Sequence, residues 1–368
     1  MIASTMSLYI ARSFITNVLM IFVFFLLLIM AVDSVELSRS LNAQVEGSFG
    51  DVLMISMLRV PAFAQRVLPF AVLFGAALSL IMLNRRLELV VARASGVSVW
   101  QFLKPVAVSA ALIGVVAVLI YQPLALNAQR ISQSLEADIF GRLKGNYANK
   151  SDNFWLRAGQ KSGDVIVRAA IAQDNGRNLA AVSIYFFTPD GAPTERIDAE
   201  RAVFEETGEE LNIYKLTNAT VTVPGKVSEQ REKMDIPVNV SALELQLSAT
   251  QAANVPFWEL GDHAERAKRN GRNHLTFLAM RQAHMAQPFL FIAMVLIAAC
   301  MSLRFARFGL PMKLILGGIL AGFVLYVVSE IVMTFGSNGL VSPAAAAWSP
   351  TCVAILIGVT ILLHQEDG

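Results

Sequence analysis

Three long apolar runs precede a polar stretch of about 135 residues, the size of one independent core, and three more follow it. Phe14–Val32, Val67–Leu83 and Val106–Tyr121 come before the break; Pro288–Leu303, Leu314–Phe335 and Trp348–Leu363 come after it. A bilayer's hydrocarbon core is ~30 Å thick and takes about 20 apolar residues per helix, with ~17 as a lower limit, so each run spans once flanking residues are added. The pattern specifies an α-helical membrane protein with six transmembrane helices in a 3+3 arrangement and an all-β domain inserted between the halves. Residues 1–126 carry the first three spans, 127–262 the inserted domain, and 263–368 a juxtamembrane helix with the last three.

Basic residues in short loops stay on the cytoplasmic side. The loop between spans two and three holds Arg85, Arg86, Arg93 and Lys104 against Glu88 alone, and the loop between spans four and five holds Arg304, Arg307 and Lys313 with no acid. Asp33, Glu36, Glu46 and Asp51 outnumber Arg39 after span one, and Gly336–Ala347 has no charge. Both termini are therefore expected in the cytoplasm and the inserted domain outside. A cleaved signal peptide is the competing reading of the N-terminus, but Phe14–Val32 exceeds a usual signal core of about 7–15 residues, which favours a retained helix. Cys300 and Cys352 fall within expected spans and read as packing thiols, with no disulfide framework or metal-site spacing. A net charge of +2 makes no case for nucleic-acid binding.

Between the halves the long apolar runs give way to short alternating ones. Val165–Ala169, Ala180–Thr188, Ile197–Phe204, Leu211–Leu216 and Thr220–Val223 read as strands, with turns at Pro189-Asp190-Gly191, Thr207-Gly208 and Pro224-Gly225. Such a series suggests a β-sandwich or jelly-roll, in which Ile184, Phe186 and Phe204 would point inward, either as core or as a lining for lipid chains. The return stretch His263–Arg281 carries Arg266, Lys268, Arg269, Arg272 and Arg281, which suits a snorkelling juxtamembrane helix or an anion site.

Catalytic signatures are missing from the sequence. The nearest approach to a phosphate loop, Gly145 to Lys150-Ser151, lacks the second glycine and falls in the stretch expected outside, away from ATP. There is no His-Glu-x-x-His or Gly-x-Ser-x-Gly, and only four histidines occur. Glu330 is the one acid within a span, about 26 Å along from Lys313 and so near the outer interface, where it is either hydrated or part of a transport path.

The segment Asn84-Arg85-Arg86-Leu87-Glu88-Leu89-Val90-Val91-Ala92-Arg93-Ala94-Ser95-Gly96-Val97-Ser98, preceded by Val60-Pro61 and Leu68-Pro69-Phe70-Ala71-Val72-Leu73-Phe74-Gly75, resembles the signature of the lipopolysaccharide export permease family, LptF and LptG. The resemblance extends over essentially the whole chain. Val255–Leu260, Gly322–Tyr326, Gly339–Pro343 and Trp348–Pro350 are more similar to the LptG branch than to the LptF branch. Membership would imply the bacterial inner membrane, a periplasmic β-jelly-roll, lipopolysaccharide as substrate, and three partners: an LptF-like paralogue, an LptB-like ATPase dimer and an LptC-like bitopic protein. It also implies a non-catalytic subunit that binds no cofactor itself, ATP and magnesium being held by the ATPase. The competing class, without the resemblance, is a stand-alone secondary transporter or lipid-modifying membrane enzyme.

The resemblance further implies site residues. Leu87–Ala94 would be a short helix on the cytoplasmic surface that couples to the ATPase. Arg86, Glu88 and Arg93 would supply charge, Leu87, Val90, Val91 and Ala94 an apolar face, and Gly96 the end of the helix. For substrate, the candidates are Arg39, Arg59, Arg66 and Arg130, which could bind phosphate or snorkel to headgroups, with Phe25 on span one and Phe323, Tyr326 and Glu330 on span five, the helices the family uses as gates. The sequence departs from the family pattern beside Arg39: Met30 stands where a lysine is expected before Val32-Asp33, and Glu36 and Leu37 where a basic pair is.

Overall fold

A chain in hydrocarbon can bond its N–H and C=O groups only to itself, and the helix does so within one segment. The computed structural model, which describes residues 2–41, 49–94, 96–141, 154–160, 163–173, 177–188, 192–206, 212–224, 228–238, 252–269, 273–302 and 312–367, contains six helical segments that meet this need. They are α1 (Ile2–Leu41), α2 (Phe49–Arg85), α4 (Val99–Val116) running through a π-helical turn at Ala117–Tyr121 into α5 (Gln122–Gly141), α7 (Leu275–Ser302), α8 (Met312–Ser337) and α9 (Pro343–Asp367). Two shorter helices, α3 (Glu88–Ala94) and α6 (Leu260–Arg269), lie between them. The first three spans extend over 34 residues each, about 51 Å at ~1.5 Å per residue, so their ends project past the ~30 Å apolar layer. The expected apolar runs are their middles.

The chain divides into two compact units, Met1–Ile139 with Pro256–Lys268 and Arg272–Gly368, and Phe140–Val255 with Arg269–Gly271. The third span does not end near Leu126: α5 carries on to Gly141, because Asn127–Gly141 keeps a helical repeat of polar and apolar residues rather than a strand's alternation.

In the helical unit α2 and α7 are the inner helices, with 56% of their most apolar stretches buried, whereas for α1 and α8 the share is 11%. Phe14, Val72, Phe102, Val106, Phe291 and Met294 form the packed interior. Two glycines set its closest approaches to a neighbouring helix's backbone. A Cβ on Gly75 would come within 2.7 Å of Val18 Cα on α1, and one on Gly114 within 2.6 Å of Pro288 Cα on α7. Helices in lipid associate through such close packing, since burial from water no longer drives them together. Polar bonds add ties: Tyr121 Oη donates to the Pro61 carbonyl at 2.9 Å, and Gln122 Nε2 lies 2.9 Å from His284 Nε2 in a buried α5–α7 contact.

α6 is the amphipathic juxtamembrane helix expected near His263: Leu260, Ala264 and Ala267 are buried. His263 stacks on Phe277 of α7, with ring centroids 5.9 Å apart. Burial, helped by Arg266, holds its pKa below the ordinary value against the opposing pull of Glu259 and Asp262.

The second unit holds the all-β insertion as one six-stranded antiparallel sheet in the order β1-β2-β3-β4-β5-β6: β1 Phe154–Gln160, β2 Gly163–Gln173, β3 Asn178–Phe187, β4 Pro193–Glu205, β5 Asn212–Thr222 and β6 Glu229–Val238. Ile184 and Phe204 are buried in its core beside Tyr214, and Phe186 packs against it half-buried. Leu211–Leu216 and Thr220–Val223 are expected as separate strands; their described residues 212–216 and 220–222 lie in the single strand β5. Ladder pairing runs Arg201↔Thr217 and Ala199↔Ala219 on either side of Asn218. Asn218 and Ala181 have φ of 53° and 50°, and the buried face shifts phase there, from Leu216 to Ala219 and from Leu179 to Val182. Ala170, Ala181, Glu200, Asn218 and Glu232 thus form one row of skipped pairings across five strands, tied by an Asn218 Nδ2 to Glu200 Oε2 bond of 2.8 Å. The expected turns at 189–191 and 207–208, and Gly225 of the third, lie outside the described residues.

Gly75→Ala should force α1 off α2 and lower stability by about 1–3 kcal/mol, the usual size of core overpacking, while Gly317→Ala, with open space at its Cβ, should be neutral. Thermal unfolding in detergent compares the two. His263 is neutral in the folded state more readily than in the unfolded chain, whose histidines titrate near pH ~6.5. Stability contributed by this site is therefore complete above that pH and is lost as pH falls toward the lowered native value. His263→Gln should flatten the acid limb of a melting-temperature profile; an unchanged limb would assign it to other groups.

Candidate functional site

The chain leaves α2 through a left-handed residue, Leu87, with φ of 60°. Arg86 N donates to Met82 O at 3.1 Å and Leu87 N to Asn84 O at 3.0 Å, so α2 closes in a tight turn and α3 begins at once. A non-glycine residue at positive φ is uncommon and stays only where its surroundings hold it. At the far end Gly96 has φ of 86° with nothing within 4 Å of where a Cβ would be, so glycine serves the backbone there and not the packing.

α3 divides its apolar residues between two faces. Leu89 is buried in the helical core, whereas Leu87 and Val91, four apart on one face, are 61% and 66% exposed, and Ala94 is exposed with them. The side chains of Val90 and Arg93 lie outside the described residues. Glu88 is anchored rather than free. Tyr9 Oη on α1 donates to Glu88 Oε1 at 3.2 Å, Arg86 Nη1 donates to Tyr9 Oη at 3.4 Å, and Arg86 stands 4.0 Å from the Glu88 carboxylate. This triad ties the short helix to the first span.

At the opposite ends of these helices a second group of charges gathers. Asp33 on α1 faces Arg59 on α2 at 3.7 Å, with the guanidinium also 5.6 Å from the Phe63 ring centre. Asp33 Oδ2 is buried without a hydrogen-bond partner among the described residues. About three turns along α2 from Arg59, Phe70 packs on Tyr326 of α8 with centroids 5.1 Å apart. Glu330 and Arg66 both lie within electrostatic reach of the Tyr326 hydroxyl. Phe25 instead meets Phe24 and Phe74, at 6.0 and 6.2 Å. Phe323 is 52% exposed on α8, and Arg39 and Arg130 are exposed on α1 and α5.

The sequence model described as lipopolysaccharide export system permease LptF/LptG matches residues 8–364. The chain belongs to the LptF/LptG family. Among curated relatives, the Escherichia coli lipopolysaccharide export system permease protein LptG, in each of two strains, is 24% identical over 367 residues, covering 97% of this chain and 98% of the relative.

In this LptF/LptG permease the structure joins Arg66, Tyr326 and Glu330 into one cluster and gives Arg59 a carboxylate partner in Asp33. It leaves Arg39, Arg130 and Phe323 on exposed surface. Sequence reasoning missed Tyr9 and Phe70. Tyr9 had a readable signal: with Arg12, Ser13, Thr16 and Asn17 it makes a polar stripe at helical spacing at the start of the most apolar span. Tyr9→Phe should weaken the α1–α3 tie by about 0.5–1.5 kcal/mol. In a double-mutant cycle with Glu88→Gln, read by unfolding in detergent, the two losses should be non-additive; additive losses would show that the bond carries no coupling.

Proposed function

We propose that this chain is the LptG-type permease subunit of an ATP-driven exporter that draws lipopolysaccharide from the inner membrane and passes it to a periplasmic bridge. The carrying observation is the unequal cover of its spans. Within the chain 11% of the most apolar stretch is buried in α1 and in α8, against 56% in α2 and in α7. In the 3+3 order α1 and α8 are spans one and five. A paralogous LptF-like subunit packed against them would form a two-sided cavity with a mobile wall on each side. Membership of the family and the end-to-end similarity to LptG support the pairing.

The exposed Leu87, Val91 and Ala94 face of α3, flanked by Arg86 and Glu88, suits a groove on an LptB-like ATPase dimer, with Val90 and Arg93 completing the contact and Gly96 ending it. ATP and magnesium then belong to that dimer, and this chain contributes no catalytic group. The orientation follows the basic loops, with both termini and α3 cytoplasmic, the β sheet periplasmic, and an LptC-like bitopic protein extending it by strand addition. Arg66, Tyr326 and Glu330 form the substrate-facing cluster at the outer end, where the guanidinium meets lipopolysaccharide phosphate. Phe25 and Phe323 meet acyl chains, and Arg39, Arg59 and Arg130 border the route.

Glu88→Lys places a third positive charge beside Arg86 and Arg93. It should weaken ATPase capture by roughly tenfold or more and abolish export, with insertion unchanged and stability lowered only by the loss of the Tyr9–Glu88 bond, about 0.5–1.5 kcal/mol. Mild-detergent pull-down with mass spectrometry should recover a paralogue, an ATPase and lipopolysaccharide with the native chain, and the chain without ATPase from the variant. Normal export by Glu88→Lys would overturn the coupling role of α3.

A further inference from the structure

We infer that the cleft between the start of α1 and the end of α2 is a binding site for the phosphate headgroup of an anionic phospholipid. Its lining is Tyr9, Arg12, Ser13, Thr16, Asn17, Met82, Leu83 and Arg86, and its volume is about 310 Å³. Ligand clefts run ~300–1,000 Å³, so this one is large enough for a headgroup.

Three observations point to an anion. Arg12 makes no ion pair or hydrogen bond among the described residues, and Arg86 shares its one carboxylate neighbour, Glu88, at 4.0 Å and with Tyr9 between them. The lining itself contains two guanidinium groups and no acid. Asn17 is 9% exposed, has no hydrogen-bond partner among the described residues, and borders the cleft. An amide without a protein partner at the wall of the cleft is available to bond a polar occupant.

Position selects a lipid. Arg12 precedes the apolar run Phe14–Val32 and Arg86 directly follows α2, so both charges stand at headgroup level. Asn17 lies one turn deeper, about 7 Å from Arg12 along the axis. A phosphodiester held by Arg12 and Arg86, with its glycerol oxygens reaching Asn17 and Thr16, leaves its acyl chains beside the exposed Leu19, Met20 and Val23 of α1. Basic clefts between helices on the cytoplasmic side are the usual place for such headgroups. The leaflet assignment rests on the orientation proposed above; the binding itself does not.

The test uses the full permease complex in detergent, delipidated in steps and measured by native mass spectrometry with phosphatidylglycerol and phosphatidylcholine in equal supply. The native complex should keep phosphatidylglycerol preferentially. Arg12→Gln should reduce that retention about fivefold, the effect of one surface arginine on an anionic lipid, and Asn17→Leu should reduce it without changing charge. Lys104→Gln, which removes an exposed charge on α4 outside the cleft, should leave it unchanged. Equal losses from Arg12→Gln and Lys104→Gln would reveal diffuse attraction and overturn the site. Lack of preference between the two lipids would also overturn it. Displacement of bound phosphatidylglycerol by equimolar inorganic phosphate would assign the cleft to free phosphate and overturn the lipid. Lipopolysaccharide recovery and ATPase capture, read in the same spectra, report separately on the export proposal.

Discussion

Everything in the helical unit follows from the cost of an unpaired polar group in hydrocarbon. The backbone meets it by forming helices, and that leaves side chains as the variable part. Each polar side chain in such a setting has to find a partner, so the pairs that occur mark where helices are fixed to one another. Asp33 with Arg59 fixes α1 to α2 at one end, Tyr9 with Glu88 fixes α1 to α3 at the other, and Gln122 with His284 fixes α5 to α7 between. The apolar surface supplies the rest by close packing at Gly75 and Gly114.

The architecture was legible in the sequence because its two signals differ in kind. Runs of about 20 apolar residues cannot be mistaken for strands, and short alternating runs are too short to span as helices. What escaped has physical causes. β6 begins Glu229-Gln230-Arg231-Glu232-Lys233, the composition of a solvated loop, yet its backbone pairs along the whole of β5. It is a sheet edge, where charges discourage further pairing. β5 looked like two strands because Asn218 breaks the alternation, and only the ladder on both sides reveals that the break is a kink shared with neighbouring strands.

At the functional site, local pattern located the elements and long-range pairing supplied the partners. The short helix α3 and the glycine that follows it were legible because the motif is contiguous. Tyr9 was not, since it lies 79 residues from Glu88 and nothing in either segment names the other. Arg59 and Arg66 share a helical face by spacing, yet the structure separates their surroundings: a carboxylate for the first and a tyrosine–glutamate pair for the second.

The arrangement of α1 bears on how force could cross the membrane. It is among the spans with the least cover of its own, and it is also the span tied by Tyr9 to α3, so a push on α3 reaches it without passing through the packed α2–α7 interior. Val18 sits against Gly75 with no room for a methyl group, which prevents α1 from sliding independently along α2. Displacement of α3 would then tilt α1 and α2 together about that contact, and the end bearing Asp33 and Arg59 would swing opposite to the end bearing Tyr9. Arg66 and Phe70 ride on α2 while Tyr326 and Glu330 ride on α8, so the Phe70–Tyr326 contact would respond to such a tilt. Since α2 is itself packed against α7 in the core, such a tilt would also shift the α2–α7 contact.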